Sequence, residues 1–355
     1  MTGKAKYTTR SKARIAIIPG FLMLCLLLLY GCGQPHKQVA PAFYYWKTRF
    51  RTSAYDRELL KATGTRTLYL RLFDVSWQDR QQQAVPVGLL QSDTLTDTSL
   101  HYIPAIYITQ PCLIRLKEEE LPELAAHIDT LAGQLCRRYG LDPAELQIDC
   151  DWTRNTANLY FALLQQLKQR PFFKDRLLSC TIRLHQVKYI ASSGIPPVDK
   201  GLLMVYNMGN LTRYGGHNSI LEPAGAKQYL KRLHSYPLPL DVALPVYHWA
   251  ALFEQKQFKG ILYNLSREQF APGDLERLEG HLYRIKKRST TGGYRLEAGQ
   301  EIRFEQPEQE DLEEMAAYIG SRIRDSSFRV AFFHLDSTAL QPFRATGLTA
   351  IWKAF

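Results

Sequence analysis

The stretch Glu145–Thr153, ELQIDCDWT, decides the fold prediction. Polar residues occupy every second position, Gln147, Asp149 and Asp151, and apolar residues lie between them. Side chains two residues apart on a strand point to the same side. We therefore expect a buried strand whose apolar face packs on helices. Its polar face is expected to line the interior of a closed sheet, near the end where barrel enzymes carry their catalytic residues.

The same kind of short, apolar run recurs along the chain. Eight runs rich in aromatic or β-branched residues are predicted as buried parallel strands: 43–50, 66–75, 101–109, 146–152, 177–185, 201–209, 241–249 and 328–336. Amphipathic stretches with helical spacing lie between most of them. This alternation predicts an α/β fold, a (β/α)8 TIM-type barrel over residues 43–355. The alternative is a doubly wound open sheet, which the missing glycine-rich phosphate loop after the first strand disfavours.

Residues 254–307 interrupt the alternation. The stretch contains EAGQE (297–301) between two extended runs, a pattern typical of a hairpin. We predict a small insertion or subdomain after the seventh strand.

The first 31 residues resemble a secretory signal. Five Lys and Arg residues precede the apolar run IAIIPGFLMLCLLLLYG, and LLYGC, which closes it, resembles a bacterial lipobox ending at Cys32. We predict a signal peptide at 1–31, lipidation at Cys32 and a polar tether at 32–42; the alternative is an uncleaved membrane anchor. Since no acidic run follows Cys32, the protein is expected on the outer membrane, facing the periplasm.

Charge and cysteine content exclude several classes. Without the five basic residues of the signal, the formal charge falls from +11 to +6, and no basic block with interleaved aromatics is present, which excludes nucleic-acid binding. Four cysteines remain after Cys32, namely Cys112, Cys136, Cys150 and Cys180, without C-x-x-C spacing. We expect them to be free and buried, and we predict no metal site and no cofactor.

The two aspartates of the opening stretch are costly to bury as charges. Two carboxylates near each other raise the pKa of one of them, and such pairs are frequent where chemistry or ligand binding occurs. We therefore predict Asp149 and Asp151 as catalytic residues. The structural alternative is a pair neutralised by arginines such as Arg71 and Arg183.

Other polar and aromatic residues end the predicted strands and complete the expected site. We predict six substrate-binding residues: Asp74, Arg183, Tyr206, Asn207, Tyr247 and Trp249. Aromatic rings at a barrel mouth pack on the C–H faces of sugars, although they also simply fill cores. A further hypothesis places a divalent ion on the aspartates with His185 or His248.

The segment QIDCDWT resembles the fourth-strand signature of family-18 (chitinase-like) glycoside hydrolases, D-G-x-D-x-D-x-E. Asp149 and Asp151 take the two inner aspartate positions, while Leu146 and Gln147 replace the first aspartate and the glycine. Thr153 stands where the family has its catalytic glutamate. Threonine cannot protonate a leaving group at neutral pH, so the resemblance implies the barrel and leaves hydrolysis open.

Three further segments are similar to that family. MVYNMG carries Met204 and Tyr206 of the sixth-strand M-x-Y-D pattern, and ALPVYHW carries Pro245 and Tyr247 of a seventh-strand pattern. TGLTAIW resembles the closing strand, which would make Trp352 the floor of a sugar site and competes with 328–336 as the eighth strand. The chain is also similar overall to uncharacterised bacterial exported lipoproteins with an F-Y-x-W first strand, here residues 43–46.

These observations predict a lipid-anchored envelope protein that binds a glycan at the barrel mouth. If it hydrolyses glycosidic bonds, Asp151 is expected to be the acid or base, since it lies nearer the mouth than Asp149. The alternative is a non-catalytic glycan-binding or envelope assembly protein on a degenerate barrel.

Overall fold

The computed structural model describes residues 1–5, 37–92, 95, 99–206, 209–340 and 342–355. Residues Lys37–Phe355 form one compact unit. The predicted lipidation site Cys32, nearly all of the predicted signal and the candidate Asn207 lie outside the described residues. Within the described ranges, no helix is long and apolar enough to cross a bilayer.

Eight parallel strands close into a barrel, which confirms the predicted (β/α)8 architecture. The barrel strands, with an additional strand β3 (Gln83–Val87), are β1 (Gln38–Tyr45), β2 (Thr67–Gln78), β4 (His101–Ile108), β5 (Glu145–Cys150), β6 (Leu177–Arg183), β7 (Lys200–Met204), β8 (Leu240–Pro245) and β16 (Ser327–Phe333). Closure is visible in the pairing of β1, which lies parallel to β2 on one side and to β16 on the other. Strand β3 pairs antiparallel with the far end of β2.

Helices connect most of the barrel strands. They are α1 (Ala54–Ala62), α2 (Gln110–Arg115), α3 (Leu121–Arg138), α4 (Ala157–Lys168), α5 (Leu184–Lys188), α6 (Ile190–Ser193), α7 (Pro223–Tyr229), α8 (Gln309–Gly320) and α9 (Ala345–Lys353). Local sequence explains where helices begin and end. Ser53 and Asp56 form a reciprocal capping box at the start of α1, and α3 ends with Arg137 and Arg138 near its negative dipole end.

Strand β5 faces as its alternation predicts. Ile148, Cys150 and Trp152 belong to the apolar layer between barrel and helices. Gln147, on the opposite face, accepts a hydrogen bond from the Tyr44 hydroxyl inside the barrel. The polar side chains of the opening stretch therefore enter the lumen.

Several predicted strand boundaries were wrong. The first strand begins at Gln38, inside the predicted tether 32–42, and ends at Tyr45 rather than at residue 50. The seventh barrel strand ends at Pro245, so Tyr247 and Trp249 lie beyond it. In both places apolar residues continue past the last ladder pair, which extended the predicted strands too far.

The eighth barrel strand is β16, in the predicted segment 328–336, and Trp352 lies on helix α9. The expectation that Trp352 forms the floor of a sugar site was therefore wrong. Its indole Nε1 donates to the Val330 carbonyl at 2.9 Å, and its ring packs on Phe43 and Phe332 in the layer outside the barrel.

The insertion after the seventh barrel strand is an antiparallel subdomain. Its strands are β9 (Trp249–Glu254), β10 (Gln257–Tyr263), β11 (Leu275–Glu279), β12 (Leu282–Ile285), β13 (Ser289–Thr291), β14 (Tyr294–Leu296) and β15 (Glu301–Glu305). One sheet has the order β10-β9-β15-β12-β11, and β13 pairs with β14. The predicted insertion at 254–307 thus corresponds to strands spanning 249–305.

A fully buried ion pair joins the loop after β7 to this subdomain. Arg303 Nε donates to Glu305 Oε1 at 2.6 Å, and its other nitrogens donate to carbonyls of Leu211, Arg213 and Gly215. A Cβ at Gly216 would lie 2.5 Å from the Glu279 carbonyl oxygen, so the chains approach too closely for any larger residue.

Charged residues close the other end of the lumen, where the strands begin. Arg329 Nε donates to Asp241 Oδ2 at 2.8 Å and its other end pairs with Glu145. Lys200 reaches Asp241 Oδ1 at 2.6 Å. The charges neutralise one another, which is the condition for burying them.

Cys112, Cys136, Cys150 and Cys180 are all free and buried, which confirms their predicted state. Burial raises the pKa of the Cys112 thiol to about 11 and that of Cys136 to about 12. Each thiol is therefore protonated and unreactive in the folded protein.

Candidate functional site

A cavity of about 550 Å³ opens at the carboxyl ends of the barrel strands. Six of the predicted site residues line it: Asp149, Asp151, Arg183, Tyr206, Tyr247 and Trp249. Tyr263 and Asn264 of the insertion form part of its wall. We call this space the mouth cavity.

Asp149 lies at the base of the acidic wall. It is 7% exposed, and its Oδ1 accepts a hydrogen bond from Thr181 Oγ1 at 2.6 Å. Burial, with a smaller contribution from neighbouring Asp151, raises the pKa of Asp149 to about 6. Tyr107 on β4 is its register partner, and burial beside Asp149 raises the pKa of that phenol to about 12. Asp149 can therefore exchange a proton near neutral pH, whereas Tyr107 keeps its own.

Asp151 follows β5 and is held by Arg183 at the end of β6. The guanidinium donates from Nε and one terminal nitrogen to both carboxylate oxygens. Arg183 is itself fixed by Gln186, which accepts its backbone N–H at 2.7 Å and donates to the Trp152 carbonyl at 3.1 Å. A bidentate pair of this kind fixes the orientation of the Asp151 carboxylate. The counter-ion role considered for Arg183 is thus present, within the wall of the cavity.

Aromatic rings form the opposite wall. The Tyr206 ring centroid lies 5.9 Å from that of Tyr247 and 5.6 Å from that of Phe333. Trp46 packs 5.7 Å from Phe333, and Trp249 packs 5.3 Å from Tyr247. The rings support each other and present apolar surface to the cavity.

Three buried polar atoms on the cavity-lining residues have no hydrogen-bond partner within the described part of the chain. They are Tyr206 Oη, Trp249 Nε1 and His334 Nδ1. Burial lowers the pKa of His334 to about 4, so its ring is neutral at pH 7. Buried polar groups are normally paired, so three unpaired ones on residues that line a single cavity are unusual.

The rim carries a charged pair. Lys47 Nζ lies 2.7 Å from Asp336 Oδ2, and the Thr338 N–H also donates to this carboxylate at 2.9 Å. Although partial burial opposes it, the bond from Lys47 lowers the pKa of Asp336. Asp336 is therefore ionised and already bound to Lys47 and Thr338. It is a poor replacement for a missing proton donor.

Asp74 does not line the mouth cavity. Its carboxylate takes two hydrogen bonds from Arg71, one of them at 2.7 Å from Nε. Its predicted substrate-binding role has no support in this position. Asp74 thus pairs with an arginine of its own strand, β2.

Thr153 also lies apart from the cavity lining. It is exposed beyond the end of β5, its N–H donates to Thr156 Oγ1 at 2.9 Å, and its hydroxyl lies 3.3 Å from the same atom. The position of the family's catalytic glutamate thus carries no acid, and its side chain belongs to the turn that starts α4.

The residues considered for a metal are separated. His185 is exposed at the start of α5, and His248 lies past β8. Among the described residues, no three His, Cys, Asp or Glu side chains come together in a way that could hold an ion.

Sequence reasoning missed Tyr107, Phe333 and Tyr263 as lining residues. Tyr107 and Phe333 end barrel strands, so the position rule that found Tyr206 applies to them too. Tyr263 ends β10 of the insertion, and only the packing of that subdomain brings it to the mouth cavity.

No protein family and no curated protein matches the sequence. Solved structures match it over most of its length. A chitinase from Chromobacterium violaceum is 10% identical with a TM-score of 0.55, covering 88% of this chain and 98% of its own. The Bacillus cereus spore cortex-lytic enzyme SleL is 14% identical with a TM-score of 0.51, covering 90% of this chain and 75% of its own.

A mutant GH18 chitinase from Cycas revoluta, in complex with (GlcNAc)4, is 12% identical with a TM-score of 0.52, covering 89% of this chain and 99% of its own. These likenesses establish the fold. The chain is a (β/α)8 barrel that resembles the family-18 glycoside hydrolases, as its short motifs predicted.

Proposed function

We propose that the protein binds a glycan in the mouth cavity. The observation that carries this proposal is the combination of an aromatic wall with three unpaired polar atoms, on Tyr206, Trp249 and His334. Sugars present C–H faces that pack on rings, and hydroxyl or amide groups that satisfy donors and acceptors. The (GlcNAc)4 complex of the Cycas chitinase supports an N-acetylglucosamine oligomer as the first ligand to test.

Calorimetric titration with N-acetylglucosamine oligomers tests binding. Tyr206→Phe should weaken binding by about 1 kcal/mol, roughly fivefold in Kd, because one hydrogen bond is lost. Tyr236→Phe is the matched control, since Tyr236 is also buried, its hydroxyl has no partner in the described residues, and it does not line the mouth cavity. Equal affinities for the two variants, or no binding of any glycan by the parent, would contradict the proposal.

A second candidate function, hydrolysis of the bound glycan, is favoured by one observation. Asp149 faces the cavity with a pKa raised to about 6, which suits a general acid near neutral pH. Asp151 is less suited than expected, since Arg183 holds both of its oxygens. In this proposal Asp149 donates the proton and the ion pair positions the sugar.

We also propose that Cys32 carries the lipid that anchors the protein to the outer membrane, on the periplasmic side. The LLYGC motif supports this assignment. Intact mass measurement of the mature chain is expected to show a start at Cys32 with added acyl groups. A chain that retains residues 1–31 would contradict it.

A further inference from the structure

The end of the barrel opposite the mouth is strongly basic. All barrel strands run parallel, so they begin at one end, and the helices between them end there. We call this end the N-terminal face and define it by the segments that lead into six of the eight barrel strands: 61–66, 137–144, 168–176, 194–199, 230–239 and 321–326. The segment before β4, 92–100, is not included and adds two acids, Asp93 and Asp97. These segments contain twelve basic residues: Lys61, Arg66, Arg137, Arg138, Lys168, Arg170, Lys174, Arg176, Lys231, Arg232, Arg322 and Arg324. They contain four acids: Asp142, Asp175, Asp199 and Asp325.

This excess accounts for the charge of the whole protein. The segments carry a formal excess of eight positive charges, which is more than the +6 of the chain without its signal n-region. The remainder of the chain is therefore slightly acidic. The positive charge is concentrated on one face of the barrel rather than spread over its surface.

Helix dipoles explain only part of this distribution. Arg137 and Arg138 lie in the last turn of α3, where a cation is favourable. Arg66 and Arg232 lie in loops beyond the helices. All four are exposed, and none forms an ion pair with an acid in the described ranges.

Three of the four acids of this face are already engaged. Asp142 pairs with Arg176 at 2.8 Å and Asp199 with Lys168 at 2.5 Å. Asp325 accepts the Leu240 N–H at 3.1 Å. The unpaired cations are thus left facing outward.

The chain enters the barrel from the same face. Strand β1 begins at Gln38 and runs parallel to its neighbours, so Lys37 lies at the N-terminal face. The predicted acylation site, Cys32, precedes Lys37 by five residues, a reach of at most about 18 Å for a fully extended chain. An anchor on so short a tether holds this face, rather than the mouth, close to a bilayer.

We propose that the N-terminal face docks on an anionic phospholipid surface, with the mouth cavity turned away from the membrane. Lys and Arg side chains near a bilayer are attracted to anionic headgroups within about a Debye length, ~10 Å in moderate salt. A lipid chain combined with a basic surface gives more stable attachment than either alone. This inference rests in part on the proposed acylation of Cys32, but it does not depend on what the mouth cavity binds.

Quenching by nitroxides on lipid headgroups tests the orientation of the full chain reconstituted in vesicles. A dye is attached at Ser235→Cys, on the N-terminal face, or at Arg80→Cys, in the turn between β2 and β3. The buried native thiols do not compete for labelling, and the parent chain measures the background. In vesicles with phosphatidylglycerol, the dye at position 235 should be quenched several-fold more than the dye at position 80.

Pure phosphatidylcholine vesicles, or high salt, should abolish that difference. The quenching difference should also disappear when glutamate replaces Arg137, Arg138, Lys231 and Arg232. Replacing Arg49 and Arg154 with glutamate is the control, because both are exposed on the mouth side after β1 and β5, and it should change nothing. The two labelled chains, compared in neutral and anionic vesicles, test the orientation even if the charge-reversed variants do not fold. Equal quenching at both sites in anionic vesicles would overturn the proposal. So would a loss of the quenching difference that inorganic phosphate causes but chloride at the same ionic strength does not.

Discussion

The charge of Asp149 depends on its buried surroundings. Its hydrogen bond to Thr181 favours the carboxylate, but burial and Asp151 outweigh this and raise its pKa to about 6. An unfolded aspartate titrates near pH 4. Between these values the folded protein holds more protons than the unfolded chain, so this residue lowers stability as pH rises.

Asp149→Asn should remove that dependence. The free energy of unfolding of the parent is expected to fall by about 3 kcal/mol relative to the variant between pH 4 and pH 6, because a shift of two pKa units corresponds to that free energy. Urea unfolding at a series of pH values measures the difference. Parallel pH profiles for the two proteins would show that Asp149 is not perturbed.

The same substitution separates the two proposed functions. If Asp149 is the general acid, Asp149→Asn should reduce hydrolysis of a fluorogenic N-acetylglucosamine oligomer by at least about 100-fold, and the parent rate should decline above pH 6. Glycan affinity should change little. A parent that binds but shows no turnover would support the non-catalytic alternative.

At the scale of elements, the Arg303–Glu305 pair is expected to control how the insertion sits on the barrel loop after β7. Arg303→Met leaves the Glu305 carboxylate buried with Ser219 as its remaining partner, and should destabilise the protein by about 3–5 kcal/mol. Hydrogen exchange should show lost protection in residues 209–219. Arg295→Met removes an exposed pair with Glu297 and should change stability by less than about 1 kcal/mol.

The sequence predicted the elements better than their ends. Alternation in β5 identified the lumenal face, and the apolar runs identified all eight barrel strands. The predicted strand ends were wrong where aromatics such as Trp46 and Tyr247 continue beyond the hydrogen-bonded ladder. Residues that line the mouth cavity are as apolar as residues in a strand. The strand predicted around Trp352 was wrong because a short apolar run is compatible with either a strand or a helix. In the folded protein Trp352 lies on a helix and contacts Val330.

The site was predictable where its residues lie at or shortly after the ends of barrel strands. Asp149, Asp151, Arg183 and Tyr206 follow from strand position. Tyr263 depends on how a separate sheet packs against the mouth, which local sequence does not encode. Asp74 has the position of a site residue but is paired with Arg71, three residues away on its own strand, and strand spacing alone does not reveal that pairing.

For the whole molecule, ring closure makes β1 and β16 the strands that complete the barrel. Arg329 on β16 links this closure to Glu145 on β5 across the lumen. Arg329→Met should therefore destabilise the whole barrel by about 3–5 kcal/mol, since two buried carboxylates lose their shared partner. A single cooperative urea transition at lower midpoint is expected. A variant with parent stability would show that Lys200 alone neutralises Asp241.

The labelling rates of the four buried cysteines can report the order in which parts of the molecule open. The cysteines lie on β5, β6, α2 and α3, and all four belong to the apolar layer between barrel and helices. A thiol reagent in native buffer modifies a buried cysteine only when the packing around it opens. The four labelling rates therefore measure opening at four places. If the barrel opens only as a unit, the four rates will be equal. If α2 and α3 detach while α4 stays in place, Cys112 and Cys136 will react ahead of Cys180, which contacts Tyr160 of α4, and the order of reaction will record the order of unfolding.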